Sequence, residues 1–82
     1  YKIMKAIIEN EIINTSHESL RIFSKIIEVI VSVSNEQELR DRMYTERVKN
    51  TNFDKYFQYG FGSTHMWVNE IGSRNRLLIV EF

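Results

Sequence analysis

Near the end of the chain four apolar residues follow one another, Leu77-Leu78-Ile79-Val80, in a segment with the character of a β-strand. Successive side chains of a strand point to opposite faces, so a strand with one wet face alternates apolar and polar residues. An unbroken apolar run implies cover on both faces. In a chain this short, either the molecule's own helices wrap both sides or a second copy supplies the cover.

The preceding pattern predicts the other elements. Ile3, Met4, Ile7, Ile8 and Ile12 recur at the spacing of one helical face, and a helix is expected there, although β-branched isoleucine also suits a strand. Thr15-Ser16-His17-Glu18 has the form of a capping box with Thr15 at the N-cap. Behind it Leu20, Phe23, Ile26, Ile27, Ile30 and Val31 make a wide apolar face, which predicts a core helix. Ser34-Asn35-Glu36-Gln37 is a second capping box, opening a polar helix to about Lys49 whose apolar stripe is thin: Leu39, Met43, Tyr44 and Val48.

After Asn50 the period changes. Phe53, Phe57, Tyr59 and Phe61 occupy odd positions, which predicts a strand over 53–61, and Gly60 to Thr64 can turn the chain. His65 to Ile71 and Arg76 to Phe82 flank the turn signal Gly72-Ser73-Arg74-Asn75. Symmetric pairing about Ser73 and Arg74 sets Trp67 opposite Val80 and Val68 opposite Ile79. The expected architecture is one α+β domain over residues 1–82, with two or three helices followed by a three-stranded antiparallel β-meander.

Charge changes this picture only locally. The 82 residues carry a formal net charge of zero, which argues against whole-molecule attraction to nucleic acid or anionic lipid. Residues 1–39 balance at −2, from four basic and six acidic side chains, while residues 40–76 balance at +3, from seven and four. There is no cysteine, which excludes disulfides and thiolate metal sites and fits a reducing compartment. No apolar stretch is long enough to span a bilayer and no signal peptide is apparent, so a cytoplasmic location and no membrane partner are expected. The abundance of Ile, Asn, Lys, Tyr and Phe without proline is common in AT-rich genes and in small proteins of phages and mobile elements.

Candidate catalytic groups are sparse. His65, Trp67, Arg76 and Glu81 lie on neighbouring predicted strands, as acid–base groups do in some small ribonucleases. In the symmetric register, however, His65 and Trp67 face away from Arg76 and Glu81. His17 beside Glu18 reads as a solvated cap neighbour. The two histidines have no ligand spacing for zinc. Ser63-Thr64-His65 is adjacency, not triad geometry, and Gly60-Phe61-Gly62-Ser63 lacks the lysine and the helix of a phosphate loop. No catalytic residue, cofactor or metal is expected.

Binding is better served. Tyr56, Tyr59 and Trp67 lie within a basic stretch with Arg40, Arg42, Arg47, Lys49, Lys55, Arg74 and Arg76, and base-stacking aromatics beside phosphate-tracking cations are how single-stranded nucleic acid is held. A winged helix–turn–helix with Arg40, Arg42 and Arg47 on its recognition helix is disfavoured by the length of the preceding helix and by the strand at 53–61. The doubly apolar last strand suggests a second copy packed on Leu78, Val80 and Phe82. The leading expectation is a small non-enzymatic, homo-oligomeric binding module that regulates or inhibits a macromolecular partner, expected to be a protein. The alternative is RNA or single-stranded DNA binding through the basic-aromatic segment 40–76.

Overall fold

Three helices and a four-stranded antiparallel sheet make up residues 4–82, which the structure, a computed structural model, describes. In chain order they are β1 (Lys5–Ile8), α1 (His17–Ser32), α2 (Glu36–Lys49), α3 (Phe53–Tyr56), β2 (Phe57–Phe61), β3 (His65–Glu70) and β4 (Arg76–Glu81). The expected α+β class and the β2-β3-β4 meander are present. The sheet has one strand more than expected, in the order β1-β4-β3-β2.

The extra strand is the segment that the apolar spacing assigned to a helix. Lys5 to Ile8 pair antiparallel with Glu81 to Leu78. Met4, Ile7 and Ile8 fit a helical stripe, but the stretch lacks a capping residue and is rich in isoleucine, so pairing with β4 wins. Ile3, also counted in that stripe, lies outside the described residues.

Both helix caps fall one residue later than the capping boxes suggested. Ser16 caps α1, its hydroxyl accepting from the Ser19 amide at 3.2 Å, and Asn35 caps α2, its Oδ1 accepting from the Glu38 amide at 2.9 Å. Released from the first box, Glu18 instead accepts a hydrogen bond from Asn52, which ties the start of α1 to the chain beyond α2.

The strand expected over 53–61 begins only at Phe57, because Phe53–Tyr56 form one turn of helix. Its amides fold back: Phe53 N–H donates to the Asn50 carbonyl at 2.9 Å and Lys55 N–H to the Asn52 carbonyl at 3.1 Å. A separation of four residues satisfies the strand period of two and the helical period alike. Phe53 and Phe57 therefore both reach the core, with ring centroids 6.2 Å apart.

The hairpin register also differs by one residue from the symmetric expectation. Trp67 faces Ile79, Val68 faces Leu78, and His65 faces Glu81. Next to the turn Asn69 pairs with Arg76, two residues away from the symmetric register, and the bulge at Val68/Asn69, which leaves Leu77 over on β4, brings the pairing back by one. Gly72, at φ 81°, supplies the left-handed residue of the connecting turn.

The helices cover one face of the sheet only. Along β3 burial alternates, with Met66, Val68 and Glu70 buried and His65, Trp67 and Asn69 half-buried. Met66, Val68, Leu78 and Val80 pack with Ile22, Ile26, Val29 and Ile30 of α1 and with Leu39 and Met43 of α2. The apolar run of β4 thus reflects a central strand under two helices, not a sheet covered by layers on both sides.

The connection from β1 to α1 is clamped onto the β3–β4 turn. Asn10 Nδ2 donates to the Arg76 carbonyl and Asn75 Nδ2 to the Glu11 carbonyl, each at 2.8 Å. The buried Glu70 carboxylate accepts the amides of Ile13 at 2.7 Å and Asn14 at 3.0 Å, and Asn75 Nδ2 at 2.6 Å. Burial alone would raise its pKa, but these hydrogen bonds outweigh that and hold it below the usual glutamate value.

Candidate functional site

The face of the sheet turned away from the helices carries one apolar row that crosses all four strands. Ile7 on β1 pairs with Ile79 on β4, Ile79 with Trp67 on β3, and Trp67 with Gly60 on β2. The indole lies directly over Gly60: a Cβ there would sit 2.2 Å from Trp67 Cζ2. Only glycine lets the ring lie flat across the strand beside it. The other face of the same strands is turned toward the helices: buried Val80 and its exposed neighbour Ala6 line an open cavity there with Ile30 of α1.

Polar rows border this stripe. On one side Lys5, Glu81 and His65 are successive cross-strand partners, and His65 Nδ1 lies 3.1 Å from Thr64 Oγ1. On the other side Gln58 pairs with Asn69 and Asn69 with Arg76, whose guanidinium contacts the Glu9 carboxylate at 3.0 Å. Asn69 Oδ1 is buried without a hydrogen-bond partner. An aromatic and aliphatic centre inside a polar rim is the anatomy of a protein-binding surface.

The residues expected to bind nucleic acid are not brought together here. Arg40, Arg42, Arg47 and Lys49 all belong to α2, in the layer on the opposite side of the sheet. Arg40 bonds Glu36 at 3.0 Å, with its guanidinium 4.4 Å from the Phe61 ring centre. Arg47 is paired with Asp54 at 3.0 Å, and this contact, with Tyr59 nearby, raises its pKa above the usual arginine value. Lys55 stands over the Tyr56 ring at 5.5 Å. Tyr59 is held edge-on between Phe53 and Phe61, with centroids 5.9 Å from each. Arg74 sits exposed in the hairpin turn. Of the expected platforms, Trp67 alone lies on the open face.

The residues expected to form an oligomer surface are not brought together on the open face either. Leu78 and Val80 are buried beneath the chain's own helices and present no surface to a second copy. Phe82 is half-buried and stacks on Phe61 at 6.2 Å. The residue of β4 that reaches the open face is Ile79. The sequence pattern does not reveal Ile79, because the one-residue shift in register exchanges the faces of β4 relative to β3, nor Ile7, because its segment reads as a helix. Gly60, the fourth residue of β2 and set between Tyr59 and Phe61, was the available signal that a large ring crosses that strand.

Among the described residues there is no cluster of metal-ligating side chains and no helix long and apolar enough to cross a membrane. No curated protein and no solved structure matches the chain. Residues 4–81 match the model of the family described as a domain of unknown function, DUF8466, and the chain belongs to that family.

Proposed function

We propose that this chain is a small non-enzymatic binding module, homo-oligomeric and cytoplasmic, that regulates or inhibits a protein partner. The observation that supports this reading is the row Ile7–Ile79–Trp67 laid across the uncovered sheet face and rimmed by Lys5, Glu81, His65, Gln58 and Arg76. Aromatic anchors in such patches carry a large share of binding energy, about 2 kcal/mol or more for truncation to alanine. The test compares wild type, Trp67→Ala and Val48→Ala, the last an exposed position on α2. Each immobilised chain is cross-linked to interacting proteins from cells, and the partner found is then titrated in purified form. Binding that is lost by at least tenfold with Trp67→Ala and kept with Val48→Ala supports the reading. Equal loss or equal retention in both variants removes the open face as the site.

The second reading, RNA or single-stranded DNA, is favoured by one observation: a tryptophan at the middle of the open face of a four-stranded antiparallel sheet, where sheet-based RNA-binding modules stack bases. Against it, Lys5 and His65 share their row with Glu81, and the arginines of α2 lie on the other side. Titration of labelled single-stranded RNA at two salt concentrations separates the readings. Affinity that falls with salt and with Trp67→Ala promotes nucleic acid to first place.

A further inference from the structure

We infer that two copies of this chain join through their β1 strands in one defined antiparallel register, extending the sheet across a two-fold axis. The inference rests on the homo-oligomeric part of the proposed function and gives it an interface. β1 is an edge strand, and all four of its residues are exposed. Three of them are apolar, with Ile7 37% and Ile8 61% exposed. The Glu9 amide donates to the Leu77 carbonyl at 2.8 Å, so Glu9, Ile7 and Lys5 turn their backbone groups toward β4. Ala6 and Ile8 therefore aim theirs outward, ready to pair with another strand.

Those outward groups limit the possible registers, because in a symmetric antiparallel pair only Ala6 and Ile8, or residues in step with them, can exchange hydrogen bonds. Centring the axis on Lys5 or on Glu9 sets like charges opposite each other. Centring it on Ala6 or on Ile8 sets Ile7 opposite itself nowhere, and faces it with Lys5 or Glu9 instead. Only an axis through Ile7 satisfies both side-chain types. It pairs Ile7 with Ile7 of the second copy, Ala6 with Ile8, and Lys5 with Glu9. Charge then alternates along the rim: Glu81, Lys5, Glu9 of the second copy, Arg76 of the second copy.

Both faces gain from this register. On the open face the row Gly60–Trp67–Ile79–Ile7 continues through the axis into its own image, doubling the apolar stripe proposed to hold the partner. On the helix face, Ile8 of the second copy arrives beside Ala6. There it borders an open cavity of about 340 Å³ whose lining includes Met4, Ala6, Ile30, Val31, Val33 and Val80. Val31, 76% exposed, lies in that lining. The surfaces are self-complementary, as a two-fold interface requires.

The chain has no cysteine, so single thiols report the register cleanly. Light scattering on the 82-residue chain gives the mass, and mild oxidation is then compared for Ile7→Cys and Ala6→Cys. In the inferred register the two residues at position 7 form a non-hydrogen-bonded pair with Cα atoms about 4.5 Å apart, within disulfide reach. Those at position 6 are roughly 9 Å apart, beyond it. A dimer mass with rapid cross-linking of Ile7→Cys alone is the expected result, together with about tenfold weaker self-association for Lys5→Glu. A dimer that cross-links equally at both positions, or that ignores Lys5→Glu, overturns this interface and leaves the oligomeric reading standing. A monomer at every concentration overturns both.

Discussion

Trp67 and Gly60 are direct cross-strand partners, and the indole occupies the space where any Cβ at position 60 would stand. The pair therefore sets the shape of the open face: the glycine is the seat and the ring is the shelf. Gly60→Ala would bring its new methyl to 2.7 Å from Cε2 and 2.9 Å from Cη2 as well, so the ring must lift. Because no helix or strand among the described residues layers over that face, the ring can swing outward instead of distorting the sheet, and the stability cost stays at about 1–3 kcal/mol. Trp67 is the one tryptophan of the chain, so its emission reads the displacement directly. A red shift and greater quenching by iodide are expected for Gly60→Ala. An unchanged spectrum means that the indole does not rest on position 60.

Glu70 links acid to stability. Its carboxylate is buried, and it fastens the loop before α1 to the hairpin by accepting from Ile13, Asn14 and Asn75. Its folded-state pKa is lower than the ordinary one, so the unfolded chain takes up the proton first. The stabilisation is therefore complete above the unfolded value, near 4.3, and is lost as pH falls through the folded one. At neutral pH Glu70→Gln is expected to cost about 1–3 kcal/mol, because an amide N–H replaces an acceptor among donors. Denaturation of both forms from pH 7 to about 3 should show the gap narrowing below about 4.3. A gap that stays constant across that range would detach the carboxylate's charge from the clamp.

What could be read from sequence follows from which signals were unique. α1 carries a long amphipathic pattern and α2 a polar one, of whose expected stripe only Leu39 and Met43 are buried while Tyr44 and Val48 are exposed. Each has polar caps nearby, and no competing structure uses those residues better. The cap positions slipped by one because Ser16 follows Thr15 and Asn35 follows Ser34, leaving two good oxygen acceptors in a row at each start. β1 was lost because Met4, Ile7 and Ile8 fit two periods in too few residues to separate them. The open face was lost to the hairpin register: the pairing next to the turn is two residues from symmetric, the bulge brings it back by one, and the remaining shift turned the expected neighbours of Trp67 over to the other side. A symmetric turn gives no warning of such a bulge. The consequence for the candidate site is specific. Trp67 was legible as a candidate stacking aromatic and is half-buried on the open face, whereas its partners Ile79 and Ile7 depended on a pairing that only the folded sheet fixes.

Tyr59 decides whether the aromatic segment is core or platform. Its ring meets Phe53 at 88° and Phe61 at 89°, and Phe61 in turn stacks on Phe82. Phe53 also packs edge-on to Phe57, which stacks on Phe23 of α1, so the rings form a chain between the sheet and the helices. Edge-to-face pairs of this kind contribute about 0.5–1.5 kcal/mol each beyond their buried area. Removing the ring from a half-buried site that holds two such pairs should cost about 2–4 kcal/mol. Tyr59→Phe keeps the ring and loses only the hydroxyl that lies near Arg47, so less than about 1 kcal/mol is expected. Urea denaturation of wild type, Tyr59→Phe and Tyr59→Ala measures this ladder. A midpoint that drops for alanine and barely moves for phenylalanine identifies Tyr59 as part of the core that carries the open face. A midpoint indifferent to alanine makes the ring a free surface group and returns it to the list of base-stacking candidates, which Trp67 otherwise holds alone.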